Sequence, residues 1–234
     1  MTDMTAGNVS QLKVVYSFFG PPGTGKGTVA REAVLKLGFS MVSTGEMLRA
    51  EVARGSELGN CIQQIVSRGG LVSDDIVAKI VFNALSQCVN QVFILDGYPR
   101  TESQAEAFLG EFSRKFPLVQ LKIVYFSLDA DEIRRRLSAR LMCQNKACQR
   151  TYSQLIHQLK IDGLCDHCES PLMRRSDDDG EIVLERLSEY EKHARGVLAV
   201  YQRCGIEICE LDLFGKSEAA VFGQFVSQCG IERL

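Results

Sequence analysis

The chain has 234 residues, 45% hydrophobic and 24% charged, enough apolar material for one full core and a smaller appendage or two. Its net charge of −2 excludes the broadly basic surface that nucleic acid selects, so positive charge must act locally, at Arg134, Arg135, Arg136 and Arg140 and at Arg174 and Arg175. The opening MTDMTAGNVS carries no basic or apolar targeting signal, no run approaches the roughly 20 apolar residues of a membrane span, and the nine cysteines are an odd number in a long chain; a soluble, cytoplasmic, monomeric protein without a disulfide scaffold is expected.

In chain order, Leu12 to Phe19 reads as a buried strand and Lys26 to Leu37 as a helix closed by Gly38. A short strand, Phe39 to Val42, leads through Ser43-Thr44-Gly45 into a mostly helical stretch from Glu46 to Gly70 hinged near Gly55. Ser73-Asp74-Asp75 opens a helix over Ile76 to Gln87, and Gln91 to Leu95 is a buried strand ending at Asp96-Gly97. A helix from Ser103 to Phe116, a strand from Leu121 to Ser127 and a helix opened by Asp129 and Glu132 at capping-box spacing follow. Leu141 to Ser176 breaks the alternation with paired cysteines and polar turns. The chain then resumes with a long helix, Glu181 to Cys204, a strand, Glu207 to Leu211, and a last helix, Glu218 to Cys229. Strands alternating with helices five times predict an α/β fold with a five-stranded parallel sheet covered on both faces. The stretches at 43–72 and 141–176 read as insertions placed to cover a ligand beyond the carboxyl ends of the strands.

Gly20-Pro21-Pro22-Gly23-Thr24-Gly25-Lys26, between a strand and a helix, has the chemistry of a phosphate-binding loop. Glycines let backbone N–H groups turn inward, the helix adds its positive end, and Lys26 can reach the outer phosphates of a nucleoside triphosphate. The plainer reading, a turn joining strand to helix, does not explain the lysine at that spacing. Asp96, delivered by an apolar strand to the same edge, is placed to hold Mg2+ through water, although an isolated Asp at a strand end is more often a turn residue. Cys143 and Cys148 are separated by four residues, sixteen more lead to Cys165, and two separate it from Cys168. Two such pairs supply four thiolates for a structural Zn2+, against the alternative of scattered reduced thiols.

Several of these motifs resemble those of the adenylate kinases. GPPGTGKGT, with Gly27 and Thr28 after the lysine, is the variant typical of nucleoside monophosphate kinases; STGEMLR and DGYPRTESQA resemble the family's STGDMLR and DGFPRT..QA. The resemblance implies that Gly23 to Thr28 hold ATP, that Arg49 and Arg100 grip the acceptor phosphate with Gly45 and Gly97 beside it, and that Thr44 with Gly70, Leu71 and Val72 border an acceptor adenine. Gln104 would bond the edge of that base. Arg136 to Arg140 resembles the entrance to the family's lid, with Arg136 on the donor adenine, Arg140 on the transferring phosphates, and Ala139 and Leu141 as departures. Arg175-Ser176-Asp177-Asp178 and Arg186 resemble the R.DD...RL pattern, in which Arg175 and Arg186 complete a phosphate cage and Asp177 anchors the lid; Arg174 is the rival to Arg175. Lys216 falls where the family approaches the donor adenine. Many members carry a zinc lid, usually with a narrower first cysteine pair.

The resemblance implies a P-loop core of 1–42, 73–140 and 177–234, an acceptor-binding domain over 43–72 and a lid over 141–176. It also implies an ATP:AMP phosphotransferase, with ATP, AMP and ADP as its ligands and Mg2+ accompanying ATP. A pyrimidine acceptor disagrees with Thr44 and Gln104, while the donor base is left open. A zinc-bearing nucleic-acid module would need a basic, aromatic-rich surface, and a silent nucleotide scaffold would have little use for a cage of arginines.

Overall fold

A computed structural model describes residues 12–67, 72–145, 148–155, 159–175, 178 and 180–231. The expected positions Gly70, Leu71 and Asp177 lie outside the described residues.

Among the described residues, five parallel strands form a sheet: β1 (Val14–Phe19), β2 (Ser40–Ser43), β3 (Val92–Asp96), β4 (Gln120–Ser127) and β8 (Glu207–Asp212), in the order β2-β3-β1-β4-β8. The central strands are nearly continuous apolar runs because both faces are covered; Val15, Ile94, Leu95, Ile123, Val124 and Phe126 are all fully buried. One face packs on α4 (Asp74–Ser86), α5 (Glu102–Lys115) and the distal part of α7 (Gly180–Arg203), with Phe108, Phe112 and Tyr201 at its centre. The other packs on α1 (Lys26–Leu37) and α8 (Glu218–Gln228), through Ala30, Ala33 and Phe225. The fold class agrees with the expectation.

The strand order puts β3 on one side of β1 and β4 on the other. The loops leaving these strands therefore part in opposite directions and open a crevice at their carboxyl ends. Register places its contents: Phe18, one residue before the end of β1, pairs with Asp96, and Asp96 pairs with Ser43 at the end of β2. The phosphate loop, the acid and the start of α2 (Thr44–Ala53) thus emerge at one level.

The insertion after β2 is helical, α2 followed by α3 (Glu57–Val66), and the break falls at Gly55 as expected. Ser56 caps α3 by accepting from the Gly59 N–H. After α6 (Ala130–Ser138) comes a second sheet, which differs from the irregular stretch that the sequence predicts. β5 (Arg140–Cys143) pairs antiparallel with β6 (Thr151–Ser153) and with β7 (Leu172–Met173). Strands of two to four residues are too short to show an alternation. Their small core is Cys143, Tyr152 and Cys165, with Cys148, Cys168, Leu159 and Leu172 packed against it.

Candidate active site

The crevice is floored by the loop from Gly20 to Thr28. Gly20 has φ +147°, and a Cβ there would stand 2.5 Å from the Phe126 carbonyl oxygen, so no other residue fits without moving β4. Gly25, at φ +86°, caps α1 with no side chain to occupy its first N–H groups. By contrast α5, α6 and α8 have theirs met by Thr101, Asp129 and Ser217. An uncapped positive helix end is what an anion requires. Thr24 is buried and donates to the Pro21 carbonyl at 2.9 Å, tying the loop to itself.

Lys26 folds back along this loop, its ammonium donating to the Gly20 and Pro21 carbonyls at 2.9 and 2.7 Å and to Thr24 Oγ1 at 3.2 Å. Burial lowers its pKa to about 8; Asp96 opposes that shift, while Arg100, Arg186 and Arg140 add to it. Asp96 is on the cleft wall, its Oδ2 3.5 Å from where a Cβ on Gly27 would stand, hence directly against the first turn of α1.

Arginines reach the cleft from separate segments: Arg49 from α2, Arg100 from the turn after β3, Arg136 from α6, Arg140 from β5, Arg175 from the strap after β7, and Arg186 from α7. Arg174 is exposed, whereas its neighbour Arg175 lies on the wall. Carboxylates orient several of them. Arg140 donates through Nε to Asp178 Oδ2 at 2.7 Å and through its second nitrogen to Oδ1, and Arg186 donates to the same Oδ1 at 3.2 Å. Asp178 is nearly inaccessible, with a side chain 3% exposed, so one buried carboxylate sets the direction of two guanidinium groups. Arg136 is held by Glu132 at 2.8 Å, and hydrogen bonds from Arg135 and Arg136 keep that carboxyl down at about 2. Arg100 Nε donates to the Gly97 carbonyl at 2.8 Å.

Gly45, Gly97 and Lys216 also wall the cleft. Lys216 donates to the Asp212 carbonyl at 2.7 Å and to Gln224 at 3.0 Å. Thr44, Gln104 and Val72 are buried and stand behind the wall. Thr44 Oγ1 donates to the Gly97 carbonyl at 3.0 Å. Gln104 accepts from the Arg100 N–H at 2.7 Å and donates to Asp74 at 2.6 Å, so its amide here supports the turn that carries Arg100.

Two features escape motif reading. Arg31 of α1 pairs with Glu46 of α2 and donates to the Gln149 carbonyl at 2.9 Å, joining three segments across the cleft mouth. Asp178 does the orienting described above. Its place in an Asp run was visible in the sequence, but its partners 38 and 8 positions away were not.

In the lid, the Sγ atoms of Cys143, Cys148, Cys165 and Cys168 lie within 4.8 Å of one another, a group that could hold a metal ion. Cys143 and Cys168 approach to 3.4 Å, and Cys148 and Cys165 to 3.7 Å. The wider first pair therefore still brings its sulfurs to the second. Hydrogen bonding with the Ser170 side chain and backbone holds the Cys168 thiol down at about 6, whereas burial pushes Cys143 up to about 12. Gln149 and Glu169, each directly after the second cysteine of its pair, take positive φ of 46° and 57°.

Comparison with known proteins identifies the family. The adenylate kinase family model matches residues 18–206, a span that runs from the end of β1 to the threshold of β8. The chain is 41% identical to the adenylate kinase of Thermosipho africanus over 188 residues, covering 80% of this chain and 86% of the relative. It is 40% identical to that of Pelobacter propionicus, covering 80% and 84%, and 37% identical to that of Methanosarcina barkeri, covering 80% and 86%. From the phosphate loop to the long helix that carries Arg186, the chain belongs to the adenylate kinase family.

Proposed function

We propose that this protein transfers the γ-phosphoryl group of ATP reversibly to AMP, giving two ADP and balancing the adenine nucleotides. The observation that carries the reading is the convergence of Lys26, Asp96 and arginines 49, 100, 136, 140, 175 and 186 on one crevice. A single triphosphate does not need that many cations from both sides; two facing phosphate groups do.

An oxygen of the AMP phosphate attacks the γ-phosphorus, the bond from that phosphorus to the bridging oxygen breaks, and the electron pair leaves with ADP. The nucleophile is already ionised at neutral pH, so no general base is needed, and catalysis consists of alignment and charge neutralisation. The loop from Gly23 to Thr28 and Lys26 hold the donor phosphates, Arg140 and Arg175 meet the moving group, and Arg49, Arg100 and Arg186 fix the acceptor. Arg136 and Lys216 take the donor adenine, Thr44, Gly45, Gly97 and Gln104 serve the acceptor side, and Gly70, Leu71 and Val72 border its base. Mg2+ accompanying ATP, reached by Asp96 through water, would neutralise charge between the β- and γ-phosphates.

The lid would hold Zn2+. Four thiolates around Zn2+ at about 2.3 Å stand about 3.8 Å apart, close to the two sulfur separations given above. With four protein ligands the ion would be structural, fastening a lid too small to have a sufficient core of its own. The domain division is a core of 1–42, 73–140 and 177–234, an acceptor arm over 43–72 and a lid over 141–176, with Asp177 and Asp178 at the lid's return. Enclosure by arm and lid would exclude water as a competing acceptor. No described helix is long and apolar enough to cross a membrane, and a cytoplasmic monomer is the simplest setting for such an enzyme.

The test offers AMP, GMP, CMP and UMP in turn with MgATP and separates the products by chromatography. AMP alone should yield ADP. Preference for another monophosphate overturns the acceptor assignment, and failure of every acceptor overturns the reaction.

A further inference from the structure

The short sheet of the lid joins two places that are far apart in the sequence. β5 begins at Arg140, on the cleft wall, and ends at Cys143, in the sulfur cluster. β6 lies antiparallel to it, with Ser153 opposite Arg140, Tyr152 opposite Leu141 and Thr151 opposite Met142. Alternate side chains of a strand point to opposite faces. Tyr152 is buried with Cys143 and Cys165, and its phenol oxygen is 3.2 Å from Cys165 Sγ. Thr151, Tyr152 and Ser153 all border the cleft; by this alternation Thr151 and Ser153 meet it from the face opposite the one that carries the Tyr152 ring to the sulfurs.

We propose that Tyr152 couples the four-cysteine cluster to the nucleotide cleft: its hydroxyl holds Cys165 on one face of β6 while Thr151 and Ser153 wall the cleft on the other, so that metal and donor nucleotide favour each other's binding. This rests on reading the cluster as a zinc site. A metal-bound thiolate has no proton, so the phenol must be the donor. The bond then ties the second cysteine pair, at 165 and 168, to the sheet that carries the first. With the cluster closed, Arg140 and Ser153 are held at the cleft; with nucleotide bound, the same sheet presents Cys143 and Tyr152 already in place. Tyr152 is a positioning residue, and the coupling must be reciprocal.

The test measures the Zn2+ affinity of the full chain by competition with a chromophoric chelator, with and without a non-hydrolysable ATP analogue, in wild type and Tyr152→Phe. In wild type the analogue should raise Zn2+ affinity about fivefold or more. Tyr152→Phe should bind Zn2+ about tenfold more weakly, the scale of a lost outer partner. In that variant the effect of the analogue should nearly vanish. Undiminished coupling in Tyr152→Phe, with or without weakened zinc binding, overturns the proposal. So does a wild-type Zn2+ affinity indifferent to the analogue, a result that stands even if the variant does not fold. A wild-type chain that binds no Zn2+ removes the zinc reading itself and the coupling with it.

Discussion

The phosphate loop and the cysteine lid must both keep charged groups still, and they do so by opposite means. The loop is seated on a buried parallel sheet, where Gly20 presses against Phe126 and Thr24 is tied to Pro21, so the protein's own contacts set its backbone. The lid has three short strands and a core of Cys143, Tyr152 and Cys165, and on the proposed reading a metal ion bound by its four sulfurs would hold its shape. A loop organised by its own packing should lose chemistry without losing its fold. A lid organised by ligands should lose both together.

The sharpest separation is expected from Lys26→Met. Phosphoryl transfer should fall by about 10³-fold or more, as when a charge-stabilising group is removed from a transition state. Melting should be unchanged or shifted upward, because a half-buried ammonium has been replaced by an apolar chain of similar length. A large drop in melting temperature would mean that the lysine also holds the loop together. Cys143→Ser should be the reverse case. The lid should become protease-sensitive, transfer should fall by about 10²-fold through misplacement of Arg140, and ATP binding to the core should change only a few-fold. Limited proteolysis with parallel binding titrations measures both, and equal loss of binding and transfer would make the two regions one unit.

The pH dependence sharpens the comparison on the loop side. With its pKa lowered to about 8, Lys26 of the free enzyme loses its proton as pH rises through that value, so ATP affinity should fall by up to about tenfold per unit above it. Between about 8 and the ordinary lysine value of 10.5 the unfolded chain keeps this proton and the native one does not. Stability of the nucleotide-free protein should therefore rise across that window as far as this group is concerned. ATP titrations from pH 7 to 10 check the first statement; a flat affinity contradicts it. The smallest effect is expected in the lid. Glu169→Gly relieves a positive φ of 57° directly after Cys168 and should stabilise the protein by about 1 kcal/mol, read as a modest rise in melting temperature. No change there would mean that side-chain contacts of Glu169 offset its backbone.

The same contrast explains what could be read in the amino-acid sequence. The sheet, its helices and the loop were legible because long apolar runs, glycines and caps act locally: α1 begins at Lys26 and α6 is capped by Asp129. The break at Gly55 and the acid at Asp96 were legible for the same reason. The lid sheet was not, since strands as short as Leu172–Met173 carry no period. Partnerships across the chain were also hidden. Asp178 binds Arg140 and Arg186, Arg31 binds Glu46 and the Gln149 carbonyl, and Tyr152 meets Cys165, contacts between separate segments and between residue types that are usually solvated or buried for other reasons. Gln104 shows the limit from the other side: a motif marked the residue, but only the fold shows its amide shared between Arg100 and Asp74.

The central claim is that two phosphate-bearing ligands meet in one enclosed crevice, and the most direct measurement is the product balance of wild-type protein with MgATP and AMP. Two ADP should form for each ATP consumed, with inorganic phosphate near background, and ATP alone should persist. Phosphate released in step with ATP loss, with AMP unchanged, would contradict it.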